Sequence, residues 1–201
     1  MRVKAINRQA QIQRDTKETK VFAKVNLDGT GIHKINTGIG FLNHMIEQLS
    51  CHSLIDIELE VKGDLHIDFH HSTEDSAIAL GEAIKKALGD KVGIKRFGFF
   101  YVPMDEALTR AVLDLSGRIY PIWKVEFSRD KIGEIDSELF REWFFAFASA
   151  IGCNLHIENL YGVNNHHIIE SCFKATAKAL RKAISFDKRK VGQIASTKGV
   201  L

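Results

Sequence analysis

The stretch GDLHIDFHHSTEDSAIALGEAIKKAL, residues 63–88, has a second version later in the chain: NLHIENLYGVNNHHIIESCFKATAKALRKAI, residues 154–184. Both carry Leu-His-Ile, then His-His-x-x-Glu (His70 to Glu74, His166 to Glu170), then apolar residues at helical spacing. An internal repeat of this kind predicts an α+β protein of two tandem similar halves. Each half is expected to run helix, strand containing Leu-His-Ile, then a long helix opening on His-His-x-x-Glu. The boundaries fall at 1–92 and 93–185, with 186–201 a basic, Gly-containing tail, and the halves form one compact unit.

Working outward, the opening segment and residues 19–31 alternate polar and apolar positions, as half-buried antiparallel strands do. Residues 41–53 read as a helix, and residues 54–69 alternate again with a break at Lys62-Gly63-Asp64. Residues 72–90 form a helix capped by Ser72 or Thr73, with acids in its first turn and lysines in its last. In the second half, RFGFFYVP, ALTRAVLDLSGR and IYPIWKVEF are strands. Residues 137–152 are a helix, 153–159 a strand and 166–184 a helix.

The bulk numbers bound the function class. The chain has 201 residues, 45% apolar and 26% charged, with a formal charge of +3 and pI near 8.7. That excludes a disordered chain and suits a small anionic substrate. No basic stripe interleaved with aromatics points to nucleic acid. No apolar leader core and no run near the roughly 20 residues of a membrane span is present. Cys51, Cys153 and Cys172 read as free core thiols in a reducing compartment. Together these place the protein in the cytoplasm, away from membranes.

The duplicated motif carries the chemistry. Residues three and four apart share a helix face, so His71 with Glu74, and His167 with Glu170, are expected to grip one ion each. His70 and His166 point elsewhere, toward a second centre. Neutral imidazoles and carboxylates suit Mn, Fe or Zn, and the lack of paired cysteines argues against structural zinc. Of nine histidines, His44, His52, His66 and His156 lie near the pairs in the expected layout, and only His33 sits apart in an exposed turn. Arg96, Arg118 and Lys198, the last beside Ser196 and Thr197, are candidate anchors for a phosphate. TGIG (37–40) lacks the Lys-Ser/Thr of a nucleotide-binding loop. A dinuclear phosphoesterase and a metal-storing protein without catalysis both remain compatible with these residues. Phosphate or triazole binding at the metals would separate the latter.

NTGIGFLNHMIEQLSCH, GDLHIDFHHSTED, RFG, MDEAL, LDLSGR, NNHHIIE with FKATAKALR, and STKGVL resemble, in order, the imidazoleglycerol-phosphate dehydratases of histidine biosynthesis, in their single-function form. The resemblance implies a ribosomal protein S5 domain 2-like fold, with helices packed between two mixed β-sheets. It implies two Mn²⁺ per active site. One is held by His70, His156, His167 and Glu170, the other by His44, His71, Glu74 and His166. It places Glu18, His44, His52, His70, His71, Arg96, Arg118, His166, Ser196, Thr197 and Lys198 around a small phosphate substrate. Glu18 or Glu170 is the acid–base catalyst. It also implies a homo-oligomer, a 24-subunit shell with sites at subunit contacts. A metal on each ring nitrogen would favour the imidazolate, which expels the hydroxyl through a diazafulvene-like intermediate. The chain departs from the family in having Asn43 before His44, and Phe69 before His70, where Asp is usual. A carboxylate that orients a ligand would then have to come from elsewhere.

Overall fold

The structure, a computed structural model, describes residues 8–201; the first part of the opening segment lies outside the described residues. The first half runs β1 (Gln9–Asp15), β2 (Thr19–Asn26), β3 (His33–Asn36), α1 (Gly40–Ser53), β4 (Asp56–Gly63) and α2 (His70–Leu88). The second runs β5 (Phe97–Met104), β6 (Ala107–Asp114), β7 (Tyr120–Lys124), a small hairpin of β8 (Lys131–Ile132) and β9 (Ile135–Asp136), α3 (Glu138–Ile151), β10 (Asn154–Tyr161) and α4 (Asn165–Ile184). The sheet orders are β1-β2-β4-β3 and β5-β6-β10-β7. In each, the last pair is parallel and the others antiparallel. The halves therefore share one topology, with the hairpin as the insertion.

Alternation explains the layers. Val21, Ala23 and Val25 of β2 and Leu155 and Ile157 of β10 are buried, while their neighbours along each strand face out. Helices cover the buried faces: α1 and α2 pack on the first sheet, α3 and α4 on the second. Across the middle, α1 meets α4 and α2 meets α3, so each helix pair joins the two halves. The largest buried side chains at that seam are Phe140, Trp143, Phe144 and Phe147 of α3 and Phe173 of α4.

Several expectations are corrected. Leu65-His66-Ile67 is a turn, not a strand, because β4 ends at Gly63 and the Ile67 amide folds back to the Asp64 carbonyl. Leu155-His156-Ile157 does lie in a strand, so the two Leu-His-Ile triplets are not structural counterparts. α2 starts at His70 rather than Ser72. Ser72 and Thr73 are buried inside it with hydroxyls that find no partner among the described residues, and its first turn holds no acid. The His70 amide is instead capped by Asp68 at 2.7 Å. Cys51 is exposed; Cys153 and Cys172 are buried, and burial pushes both thiols up to about 12. His33 begins β3, a strand too short to show a period.

Asp56 fixes the β2–β3 crossing that leads into α1. Its Oδ1 accepts from the amides of Thr30 (2.8 Å), Gly31 (3.0 Å) and Ile32 (2.9 Å), and its Oδ2 from Asn26 (3.1 Å). Burial pushes this carboxyl up, but those bonds outweigh it and the net shift is down. A lowered carboxyl pKa contributes stability above the ordinary carboxylate range, lost as pH falls through the folded value. We expect Asp56→Ala to cost about 1–3 kcal/mol at neutral pH. In urea unfolding, the gap to the parent should close on acidification past that range.

Candidate metal centre

The helix starts decide the site. α4 is capped by Asn164, whose side chain accepts from the His166 amide (2.9 Å). The Glu106 carboxylate accepts from the amides of Val163 (3.0 Å) and Asn164 (2.7 Å) just before it. From that start, His166 Nε2 lies 2.9 Å from Glu170 Oε2, one helical turn on. α1 packs alongside and brings His44 Nε2 to 3.2 Å of the same oxygen. His44, His166 and Glu170 thus offer ligand atoms all within 4.8 Å of one another. Phe41 stands edge-on to the His166 ring at 5.1 Å and fixes its orientation.

Glu170 is 5% exposed. Burial alone would raise its pKa; hydrogen bonds from Lys174 (2.6 Å, on Oε1) and His166 outweigh it and hold the group ionised. Two imidazoles converging on one oxygen of an ionised carboxylate form a nitrogen–oxygen donor set that fits a borderline or hard divalent ion.

The pairing differs from the spacing argument. Each glutamate meets the first histidine of its motif: His166 with Glu170, and His70 Nε2 with Glu74 Oε2 at 3.8 Å. The second histidines turn toward the β-turns. His71 Nδ1 lies 3.0 Å from Asp64, and its Nε2 3.8 Å from Glu18 in the β1–β2 turn. His167 Nδ1 lies 2.7 Å from Glu106, and its Nε2 3.6 Å from Asp105 in the β5–β6 turn. The two arrangements are pseudo-symmetric. Asp64 raises the pKa of His71, and Glu106 that of His167. Glu106 itself is pulled to about 2, first by the Asn164 amide and then by His167. An imidazole whose Nδ1 is held by a carboxylate presents Nε2 as a fixed, more basic metal ligand.

The sequence reading missed Glu142. His44 is the fifth residue of α1, and Glu142 is the fifth of the equally long α3. Because α1·α4 and α3·α2 are equivalent contacts, Glu142 is the counterpart of His44, and it lines one groove with Glu74. A search by histidine could not find it. Aligning FLNHM with LFREW would have.

Other expected residues stand apart. His156 is exposed on β10, on the sheet face turned away from α4. His52, two turns beyond His44, faces α4; partial burial lowers its pKa, helped by Lys174 and Lys178. Arg96 is bound to Asp114 and to the tail, and Arg118, Thr197 and Lys198 are exposed. Asn43 accepts from the Thr37 amide (2.8 Å) and hydroxyl (2.7 Å) to start α1, and Phe69 packs against the core. The orienting carboxylates come from Asp64 and Glu106 instead.

Fold and site define a class: a repeated α+β protein with histidine–carboxylate groups at the starts of its long helices. The sequence model of imidazoleglycerol-phosphate dehydratase matches residues 37–180. Proteins named imidazoleglycerol-phosphate dehydratase from Nitrobacter hamburgensis and Azorhizobium caulinodans are 56% and 58% identical over 194 residues, 96% of this chain and 98% of each relative. The crystal structure of the Staphylococcus aureus imidazoleglycerol-phosphate dehydratase superposes with a TM-score of 0.81 at 37% identity, covering 89% of this chain and 99% of that one. A Pyrococcus furiosus structure gives 0.81 at 32% identity, covering 94% and 100%. The chain belongs to the imidazoleglycerol-phosphate dehydratase family of hydro-lyases.

Replacing Asp64 by Asn should free the His71 ring. We expect metal affinity to fall about 10–100-fold, read by chelator competition, with the thermal midpoint of the metal-free protein little changed.

Proposed function

We propose that the protein converts imidazoleglycerol phosphate to imidazole acetol phosphate in histidine biosynthesis, with two Mn²⁺ per active site. The observation that carries this is the convergence of His44, His166 and Glu170 on one point in a chain of this family. One ion would be held by those three. The other would be held by the counterpart group His70, Glu74 and Glu142, with Glu142 in the role first expected of His156. His71 and His167, braced from behind by Asp64 and Glu106, supply the remaining imidazoles. When bound, the ions supply positive charge that favours a deprotonated imidazole ring on the substrate.

The chain's own groups divide the rest of the work. Both oxygens of Glu170 are engaged, by Lys174 on one side and by His166 and His44 on the other. It is therefore a poor proton carrier. Glu18 is 56% exposed and lies 3.8 Å from His71 Nε2, the nitrogen that would face the ion, so it is the better acid–base group for the carbon-bound proton. Arg96, Arg118, Ser196, Thr197 and Lys198 provide the cationic and hydroxyl groups that orient a phosphate. His156 and these anchors lie away from the helix starts of their own chain, which supports sites shared between copies of a cytoplasmic homo-oligomer, a 24-subunit shell in our reading.

The test is turnover by protein stripped with chelator and reloaded with Mn²⁺. Product should appear only after reloading, and His167→Ala should lose both bound metal and turnover. Absence of product with manganese bound by elemental analysis would contradict the assignment; release of inorganic phosphate would favour a phosphoesterase.

A further inference from the structure

Arg96 sits at a junction that the reaction does not by itself require. Its backbone has a positive φ of 70°, a conformation that a long side chain adopts only when its surroundings impose it. The amide donates to the Ala183 carbonyl at the end of α4, and the carbonyl accepts from Leu115 at the end of β6. Its guanidinium forms a two-pronged pair with Asp114 (Nε to Oδ1 2.7 Å, Nη2 to Oδ2 3.0 Å), stacks over the Phe97 ring, and donates from Nη1 to the Ala195 carbonyl at 2.8 Å. Both side chains are mostly buried, 13% and 15% exposed.

The first half contains the same device. Arg8 precedes β1 as Arg96 precedes β5, and its carbonyl accepts from Leu27 as that of Arg96 does from Leu115. Its guanidinium forms a two-pronged pair with Asp28, lies over the Phe186 ring, and donates to the Ile184 carbonyl. In the first half that last contact holds the end of a helix. In the second it holds the irregular C-terminal segment immediately before Ser196, Thr197 and Lys198. The end of that segment lies against the Gly117 turn beside Arg118.

We propose that Arg96 and Asp114 are a latch for the C-terminal segment, with Asp114 a positioning residue that acts through Arg96. Asp114 takes two of the five guanidinium N–H groups and thereby aims a third at Ala195. Two remain for an anion. The segment is thus held where its hydroxyls and ammonium stand with Arg96 and Arg118, so one ion pair organises the whole set of phosphate anchors. The functional part rests on the dehydratase reading above; the structural part does not.

The experiment uses the assembled protein and compares Asp114→Asn with a control, Asp28→Asn, at the carboxylate paired with Arg8. Trypsin cleavage after Lys198, followed by intact mass, should rise about tenfold or more in Asp114→Asn and stay at the parent rate in Asp28→Asn. In turnover assays the Michaelis constant of Asp114→Asn should rise more than kcat falls. Should that variant not fold, Arg96→Lys reads the same contact, because an ammonium cannot span Asp114 and Ala195 together, and it should show the same increase in cleavage. Unchanged cleavage in a folded variant would overturn the latch, as would equal cleavage in the Asp28→Asn control. Failure of the dehydratase reading would appear separately, as absent turnover in the parent protein, and would leave the cleavage result standing.

Discussion

The fold depends on how closely α2 and α3 approach. A Cβ on Gly81 would lie 2.7 Å from the Ala150 Cβ and 3.0 Å from the Phe147 carbonyl, so only glycine lets the two helices meet there. Glycine in a helix interior costs about 1 kcal/mol relative to alanine. Its presence in the middle of α2 marks a contact that contributes more than this cost. The Trp143 indole donates across the same seam to Ser76 (3.2 Å), satisfying two buried polar groups where the helices touch. Each half covers one face of its helices with its own sheet and needs the other half to cover the rest.

That arrangement places the chemistry. Because the helix pairs cross between halves, the start of α4 lies beside α1 and the start of α2 beside α3. A histidine at the fifth position of α1 therefore meets the second His-His-x-x-Glu, and a glutamate at the fifth position of α3 lines one groove with Glu74 of the first. In the proposed centres the repeated motif is one half of each ligand group, and the partner helix supplies the other. Hairpin turns add a further layer, since Glu18 on one side and Asp105 with Glu106 on the other reach back to the second histidines. Duplication of a single half explains both groups without any new element.

Much of this was legible in the residues. Alternation located β2, β4, β6 and β10, and helical spacing located all four helices within a few residues, because burial on one face imposes those periods directly. The small elements β3, β8 and β9 have too few residues for a period to show. Spacing alone did not decide which histidine contacts each glutamate, because i,i+3 and i,i+4 partners are both allowed on a helix. What selects i,i+4 here is tertiary: Asp64 and Glu106 draw His71 and His167 away. Glu142 was invisible to a census of histidines, and the Leu-His-Ile likeness was misleading, since three residues match by chance more easily than a whole element does. Arg96 was legible as a cation, but its bond to Ala195 joins residues far apart in sequence and has no local signature.

In the proposed enzyme, two pseudo-symmetric helix pairs each hold one ion. The most direct measurement is manganese per chain by elemental analysis, on the parent protein and on Glu142→Ala. Two ions per chain are expected in the parent and one in the variant, with the His44, His166 and Glu170 group still loaded. Two ions retained by Glu142→Ala would contradict the equivalence of Glu142 and His44, and with it the assignment of the second centre.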